Sequence, residues 1–369
     1  MHYSREDGCR AWLTYGMLSA ESLREVLNHF GSAEAVYGSF VGTDGRALKE
    51  LGVSAEAIAN LRTQADAGQM HHMMLTMQRF NVGIMSYNDD IYPDSLRNIQ
   101  QPPALLFYRG NLNCLMGRCV TVVGSRSASP RGLEATRKVC ADLGRAGVTT
   151  VSGLAVGVDA AAHEGCMEGG MPTAAVLACG MDVEYPAENI ALRESIVSSG
   201  GVVLSEYPFG MRPNKFVFSV RNRIMSGLGK ALIMMECRIR SGSMLTVQHA
   251  LEQGRDVFAY PGIPNSEWSE GAHQLLREGA IYFTTAQDVL EDLKWQDRPL
   301  VIVDRKANNV PQLTDEQRMI FSLLSREEMS FDELASASGL PAPVISGSLT
   351  ILEMFGLIRS MPGKIYCRA

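Results

Sequence analysis

The chain lacks the features that would place it in a membrane, in an oxidising compartment or at a metal. No apolar run reaches the roughly 18 residues that a membrane-spanning helix needs. The first twenty residues include the charged Arg5, Glu6, Asp7 and Arg10, so they lack the apolar core of a secretion signal. The eight cysteines stand at positions 9, 114, 119, 140, 166, 179, 237 and 367 and form no C-x-x-C pair. We therefore expect a cytoplasmic protein without structural metal or disulfides.

Basic residues are in the minority, and they are unevenly distributed. The 369 residues carry a formal net charge of −6, which argues against a protein that is basic overall. The segment 207–242 nevertheless holds seven basic residues against the single acid Glu236, a local charge of +6 that leaves −12 for the rest. A positive block in an acidic protein indicates an anionic ligand bound at one place.

Both common glycine signatures of nucleotide binding, G-x-G-x-x-G and G-x-x-x-x-G-K-[ST], are also missing. In VTVVGSRSASPRG (120–132) an apolar strand ends at Gly124 ahead of a predicted helix, which is how a nucleotide-binding unit begins. The next strand end, VTTVSGLA, has no acid to bind the ribose of NAD. We expect Gly124 to allow a sharp bend and the helix start to bind phosphate through Ser125, Arg126, Ser127 and Ser129. These groups suit a phosphodiester and a splayed base better than a pyrophosphate.

Apolar runs in the middle of the chain alternate with helical patterns. The predicted strands cover residues 119–124, 148–153, 173–180, 201–206, 231–236 and 256–262. Strands that are apolar on both faces and separated by helices predict an α/β fold with a Rossmann-like, doubly wound and mostly parallel sheet. Functional loops collect at the carboxyl ends of such strands. We therefore expect GSRSAS, SGLAVGVD, CGMDVEYP, SEYPFGMRP and ECRIRSGS at one edge.

Different regions flank this predicted domain of residues 80–295. Residues 1–75 predict a small helical domain of the SAM-like or helix-hairpin-helix type, in which Gly31 and Gly52 follow amphipathic turns. A linker is predicted at 296–311 and a winged-helix domain at 312–369. Residues 310–369 hold seven acids and five bases, and the predicted recognition helix APVISGSLTILEMFG has no Lys or Arg. Duplex binding depends on phosphate neutralisation, so we expect this domain to contact protein.

The basic block has the pattern of a site for single-stranded nucleic acid. In RPNKFVFSVRNRIMSGLG, Lys215, Arg221 and Arg223 interleave with Phe216 and Phe218. Cations can follow a phosphate backbone while aromatic faces stack on its bases. Arg221 and Arg223 need not both reach DNA, since one of them can fix the fold through an acid such as Asp159 or Glu206.

Three further side chains near this block are predicted to support the structure. Asp159 and His163 lie one helical turn apart after the second predicted strand, and Glu206 ends the fourth. No metal, base or nucleophile constellation accompanies them, and the G-x-S-x-G elbow of a hydrolase is absent. We therefore predict binding without catalysis.

A resemblance to a known family rests on seven segments in a fixed order. They are VVGSRSAS, SGLAVGVDAAAHEG, VLACGMDVEYPAEN, LSEYPFGMRP, FVFSVRNRIMSGL, SGSMLTVQHALEQGRDVFAYPG and GAHQLLREGA. With the upstream YPDSLRNIQQPPALLFYRG, they resemble the DNA-processing protein A family (DprA, also called Smf) over about residues 90–290.

The resemblance implies a bacterial single-stranded DNA-binding protein that protects incoming DNA and helps to load the RecA recombinase during natural transformation. It implies a homodimer joined through the Rossmann-like domain and no cofactor. The family's pocket residues correspond to Arg126, Lys215 and Phe218. The whole candidate DNA-binding set, with R-N-R and the serine-bearing helix starts, is Gly124, Ser125, Arg126, Ser127, Ser129, Lys215, Phe218, Arg221, Asn222, Arg223, Ser241, Gly242 and Ser243.

The sequence departs from the family pattern in two loops. Ser219 follows Phe218 where the family usually has proline, and the loop after the second predicted strand has Val156 and Val158. Valine at 156 removes a possible cation from that loop. The residues around Arg126 and Lys215 are unaffected.

Two rival functions remain at this stage. A nucleotide-processing enzyme of the lysine-decarboxylase-like phosphoribohydrolase type shares a related core, but its P-G-G-x-G-T-x-x-E loop has only the glycine-poor SGSMLTVQHALE as a counterpart. A duplex-DNA regulator acting through the winged helix is disfavoured by the acidity of that domain.

Overall fold

The computed structural model describes residues 3–264, 266–295, 314–324, 329–354, 358–361 and 365–368. The chain divides into two compact units, Met1–Val301 and Ile302–Ala369. The predicted linker at 296–311 lies outside the described residues, and the domain boundary proposed near residues 75–80 stays a prediction.

Six helices form the amino-terminal part of the first unit. They are α1 (Arg5–Thr14), α2 (Ala20–Phe30), α3 (Ala33–Thr43), α4 (Arg46–Glu50), α5 (Ala55–Thr63) and α6 (Ala67–Phe80). A serine or aspartate side chain caps five of them, and Gly31 ends α2 in the left-handed conformation at φ 81°. Fully buried Trp12 packs edge-on against Tyr37 and Phe40, with ring centroids 5.1 Å apart in both pairs.

A nine-stranded sheet follows. Its strands are β1 (Gly83–Ser86), β2 (Leu105–Gly110), β3 (Arg118–Val123), β4 (Val148–Ser152), β5 (Ala174–Val176), β6 (Val202–Ser205), β7 (Ala231–Met234), β8 (Asp256–Ala259) and β9 (Ile281–Tyr282). The helices among and after them are α7 (Asp94–Arg97), α8 (Pro130–Arg145), α9 (Val158–Glu168), α10 (Ile190–Ser198), α11 (Lys215–Leu228), α12 (Ser243–Glu252), α13 (Glu270–Arg277) and α14 (Ala286–Asp292).

The strand order, β1-β2-β6-β5-β4-β3-β7-β8-β9, confirms the predicted doubly wound sheet. All pairs from β6 to β9 are parallel, whereas β1 and β2 add an antiparallel extension. The six predicted strands are present; β1, β2 and β9 were not predicted. The order reverses at β3, which pairs with β4 on one side and β7 on the other, and this is the switch point of the sheet.

Alternating side chains of the strands fill apolar cores on both faces of the sheet. In β3, Val120 and Val122 pack with residues of α8, α9 and α14, whereas Cys119 and Val123 pack with residues of α11, α12 and α13. A third core joins the amino-terminal helices to the sheet through Trp12, Phe107 and Val203. The cysteines at positions 9, 114, 119, 140, 166, 179 and 237 are buried.

The second unit has a winged-helix arrangement, as predicted. Its elements are α15 (Asp315–Leu323), β10 (Met329–Ser330), α16 (Phe331–Ser338), α17 (Ala342–Met354), β11 (Ile358–Met361) and β12 (Ile365–Arg368). The strands form a small antiparallel sheet in the order β10-β12-β11, and Ile320, Leu334 and Leu349 share its core.

Across the described residues, no individual helix has both the length and the apolarity to span a membrane. The bent pair Phe331–Ser338 and Ala342–Glu353 meets that test jointly, by length and composition only.

Candidate nucleic-acid interface

An arginine, a phenylalanine and a tyrosine meet at the carboxyl edge of the sheet. The guanidinium carbon of Arg126, in the loop after β3, lies 4.7 Å from the centroid of the Phe218 ring. The ring of Tyr185, from the loop after β5, lies 6.0 Å from that of Phe218 with a tilt of 59°. Together they line a pocket whose other walls are Gly153, Ala155, Val156, Leu177, Ala178 and Pro186. A flat ring with a cation on one side and apolar walls around it suits a nucleobase.

The start of α11 orients the phenylalanines and exposes a lysine. Asn214 caps the helix by accepting a hydrogen bond from Val217 N at 3.1 Å. Lys215 is exposed at the first helical position, and the neighbouring Phe216 is 71% exposed. Two residues on, Phe218 faces the pocket because residues two apart point to different sides of a helix. The first turn of α11 therefore carries a charge and a second aromatic face outside the pocket.

Arg221 is buried below this pocket instead of facing solvent. It is 3% exposed and donates from Nη1 to the backbone carbonyls of Gly153, at 2.9 Å, and of Val176. Burial lowers its pKa, which the negative charge of Asp159 opposes. An added Cβ at Gly153 would lie 2.6 Å from the guanidinium nitrogens, so glycine leaves room for this side chain. Arg221 therefore joins α11 to the ends of β4 and β5.

Arg223 is buried in a separate ion pair. Its Nη1 and Nη2 donate to the two carboxylate oxygens of Glu206 at 2.8 and 2.6 Å, and its Nε donates to the carbonyl of Gln101 at 2.9 Å. Arg223 is 6% exposed and Asn222 between the two arginines is 8% exposed. R-N-R belongs to the candidate DNA-binding set predicted from the sequence, and its contact with DNA stays a prediction. In the structure both guanidinium groups are bonded within the fold, because exposing them would leave the buried carbonyls and Glu206 without these partners.

Asp159 and His163 contact different partners. The Asp159 carboxylate accepts hydrogen bonds from Gly153 N at 3.2 Å and Ala155 N at 3.3 Å, and burial raises its pKa. His163 is fully buried, its Nδ1 lies 2.7 Å from Thr173 Oγ1, and burial lowers its pKa to about 3. Asp159 therefore holds the loop after β4, and His163 stays neutral inside the fold.

The helix start after β3 is already occupied by a side chain. Ser129 caps α8 by accepting from Gly132 N at 3.0 Å, and its own N and Oγ each donate to the carboxylate of Glu236 at 2.7 Å. Ser125 and Ser129 are buried, whereas Arg126 and Ser127 are exposed. In the structure the Glu236 carboxylate therefore takes the place at this helix start where phosphate was predicted.

Glycine at position 124 has a different reason from the predicted bend. Gly124 is not among the described glycines whose φ is positive. An added Cβ would lie 2.6 Å from Val158 Cγ2 and 2.9 Å from the carbonyl oxygen of Glu236. Close approach of these two neighbours, and not a special turn, requires glycine there.

The serines after β7 lie on a partly exposed helix start. The Oγ atoms of Ser241 and Ser243 are 2.7 Å apart, and Ser243 N donates to Ser241 Oγ at 3.4 Å. Gly242 is exposed and precedes α12 as its N-cap residue, without a side-chain hydrogen bond to the helix. This segment is not among the residues that line the Phe218 pocket.

The basic residues of segment 207–242 are not all available to a ligand in the structure. Arg221 and Arg223 are buried, Arg238 Nη2 lies 3.0 Å from Glu267 Oε1, and Lys230 precedes β7 at the opposite edge of the sheet. Arg212, Lys215, Lys230 and Arg240 are exposed and make no ion pair within the described part of the chain. Without Lys230, which lies at the opposite edge, Arg212, Lys215 and Arg240 remain as candidates for phosphate contacts.

Sequence reasoning missed Tyr185 and the role of Glu236. Tyr185 stands in the segment CGMDVEYPAEN, which follows a predicted strand, and an aromatic residue in such a loop was the available signal. Glu236 was noted only as the single acid of the basic block. Its position two residues after β7, beside the switch point, was the available signal.

Comparisons with known proteins agree on one family. A family model described as DNA recombination-mediator protein A matches residues 83–294, and one described as the DprA winged helix domain matches 304–364. The chain is 43% identical to DNA processing protein DprA of Streptococcus pneumoniae over 224 residues, 61% of this chain and 78% of that protein. It is 34% identical to Protein Smf of Escherichia coli over 290 residues, 78% of each chain.

Solved structures give the same result. The X-ray structure of DNA processing protein A from S. pneumoniae matches with a TM-score of 0.66 at 35% identity, over 79% of this chain and 99% of that one. A structure of the Helicobacter pylori protein, described by its single-stranded DNA binding mode, matches with a TM-score of 0.52 at 27% identity, over 57% and 95%. These matches favour DNA processing over the phosphoribohydrolase alternative. The chain belongs to the DNA recombination-mediator protein A (DprA) family.

Proposed function

We propose that this chain binds single-stranded DNA at the carboxyl edge of its sheet. One base enters the pocket and stacks on Phe218, and the phosphates beside it contact Arg126 and Lys215. The observation that carries the proposal is the Arg126 guanidinium held 4.7 Å from the Phe218 ring at a pocket with apolar walls.

The pocket selects a single strand because of how it would hold a base. A base can lie against Phe218 only after it leaves the stack of its neighbours and its pairing partner. In a duplex this costs a few kcal/mol, whereas the bases of a single strand are already free to splay out. The exposed cations add attraction to phosphate without reading the sequence.

The wider role follows from family membership. We propose that the chain acts in DNA recombination, including natural transformation, by protecting single strands and helping to load RecA. We also propose a homodimer joined through the Rossmann-like domain. The H. pylori relative, whose structure is described by a single-stranded DNA binding mode, supports the DNA ligand. No catalytic step is part of the proposal. His163 and Asp159 are buried and bond to Thr173 and to the backbone of the loop after β4.

The proposed DNA contacts form a smaller set of residues than the one predicted from the sequence. We retain Arg126, Ser127, Lys215 and Phe218 as direct contacts and add Tyr185 as a pocket wall. Ser241, Gly242 and Ser243 stay candidates for the phosphates further along the strand. Arg221 has a positioning role beneath the pocket, whereas Asn222 and Arg223 are buried elsewhere along α11.

The test is binding of a fluorescent oligo-dT of several tens of nucleotides across a salt series. We expect tight binding by the wild type that weakens as salt rises, and a large loss in the double variant Arg126→Ala, Lys215→Ala. Lys230→Ala removes a cation of the same basic block from the opposite edge and should bind like the wild type. Equal binding by the double variant, with its fold verified by circular dichroism, contradicts the pocket assignment.

A further inference from the structure

One of the chain's own carboxylates occupies the phosphate position of the fold. In a doubly wound sheet, ligand phosphates bind at the switch point, on the start of the helix that follows the first strand of the unit. Here that helix is α8, and the switch point lies between β3 and β7. Glu236 follows β7 by two residues and reaches across the switch point to the start of α8.

The carboxylate satisfies the donors that a phosphate would use. Glu236 Oε2 accepts from Ser129 N and Oε1 accepts from Ser129 Oγ, both at 2.7 Å. Gly132 N, in the first turn of α8, donates in turn to Ser129 Oγ at 3.0 Å. Hydrogen bonds to a charged acceptor are about twice as strong as neutral ones, and the partial positive charge of a helix start favours an anion.

The surrounding residues are shaped to this side chain. Glu236 is 3% exposed, so its carboxylate is shielded from solvent at the helix start. An added Cβ at Gly132 would lie 2.2 Å from the Glu236 carboxyl carbon, and one at Gly124 would lie 2.9 Å from its carbonyl oxygen. Both glycines therefore admit Glu236, where in a nucleotide-binding turn glycine admits the pyrophosphate.

Glu236 also fixes the loop that carries Arg126. Its carbonyl oxygen accepts from Ser125 N at 2.7 Å, while its carboxylate holds Ser129 four residues later. The exposed residues Arg126 and Ser127 lie between these two anchors. The same residue thus closes the helix start and sets the loop beside the Phe218 pocket.

We infer that Glu236 is an internal anion that determines ligand specificity by excluding nucleoside phosphates from the switch point. A free nucleotide carries the same base and phosphate groups as a DNA strand, but it finds no phosphate anchor at α8. A strand does not need that anchor, because several nucleotides at once contact exposed cations and aromatic faces. The inference concerns the closed helix start and does not rest on DNA binding.

Removal of the carboxylate is the direct test, with inorganic pyrophosphate as the probe. In Glu236→Ala the freed donors of Ser129 face a small cavity at a helix start. We expect pyrophosphate to raise the melting temperature of this variant by several degrees as its concentration increases, because a ligand of the folded state alone stabilises it. The wild type should show no such rise. Glu267→Ala makes the same charge change in an exposed ion pair and is the matched control.

A rise in Glu236→Ala that is no larger than in Glu267→Ala would overturn the inference. A second measurement on the wild type applies even where the alanine variant does not fold. The amide resonances of Ser129 and Gly132 should keep their NMR positions during a pyrophosphate titration. A saturable shift of these two resonances shows that the helix start is open and overturns the inference as well.

Discussion

Arg126 combines a permanent charge with a flat stacking surface, and two substitutions separate these properties. Arg126→Ala removes both, whereas Arg126→Lys keeps the charge and loses the planar group that lies 4.7 Å from the Phe218 ring. Arg126 is exposed and its contact with Phe218 is worth about 0.5–1 kcal/mol at such a site, so both variants should fold.

The magnitudes follow from single-strand energetics. Stacking of a base on a planar side chain contributes about 1–3 kcal/mol. Each neutralised phosphate contributes about 0.7 to the slope of log K against log salt for a single strand. Arg126→Ala should therefore raise Kd by about 10- to 100-fold and lower the slope by about 0.7. Arg126→Lys should keep the slope and still raise Kd by about tenfold, roughly 1.4 kcal/mol.

The assay is fluorescence anisotropy of labelled oligo-dT at four or more salt concentrations, with Lys230→Ala as the control for one lost cation. If Arg126→Lys has the affinity and the salt slope of the wild type, Arg126 acts as a point charge, and the stacking geometry is refuted. If Arg126→Ala changes neither Kd nor the salt slope, the DNA strand does not contact Arg126.

Three more outcomes are expected. Deletion of residues 310–369 should leave oligo-dT affinity within about tenfold of the full chain, roughly 1.4 kcal/mol, because the acidic winged helix adds little phosphate attraction; a larger loss by the same anisotropy assay contradicts this. Glu206→Ala should lower the free energy of unfolding by about 3–5 kcal/mol in urea titrations, since it leaves the buried charge of Arg223 unpaired, whereas exposed Glu267→Ala should cost at most about 1 kcal/mol. Stability should fall as the pH drops from about 6.5 toward 3, because the unfolded chain protonates His163 while burial lowers its folded pKa to about 3. In His163→Gln, unfolding measured over the same pH range should show a flatter dependence, and an unchanged slope would exclude His163 as its source.

The sequence predicts the parallel core well because its strands are long apolar runs between helical patterns. It did not predict β1, β2 or β9. β9 has two residues, and β1 and β2 pair antiparallel with each other, outside the alternating pattern that identifies a parallel unit. Such short or differently paired strands depend on contacts with distant segments, which composition does not record.

The sequence predicts where the candidate site lies better than it predicts which side chains are exposed there. The carboxyl-edge rule places Arg126, Lys215 and Phe218 in neighbouring loops and helix starts. Charge counting treats every arginine alike, although Arg221 and Arg223 are buried and paired with carbonyls and a carboxylate. Whether a cation is exposed depends on where its hydrogen-bond acceptors lie in three dimensions, and the sequence alone does not give these positions.

The guanidinium of Arg221 has a consequence for the thermodynamics of ligand capture. By binding the carbonyls of Gly153, which lines the pocket, and of Val176, which precedes the wall residue Leu177, it fastens α11 to both segments before any ligand arrives. The conformational entropy of assembling these segments is lost when the chain folds, so it does not oppose binding. The pocket is therefore preorganised, and its free and bound backbones should superimpose closely, with ordering confined to the strand that enters it.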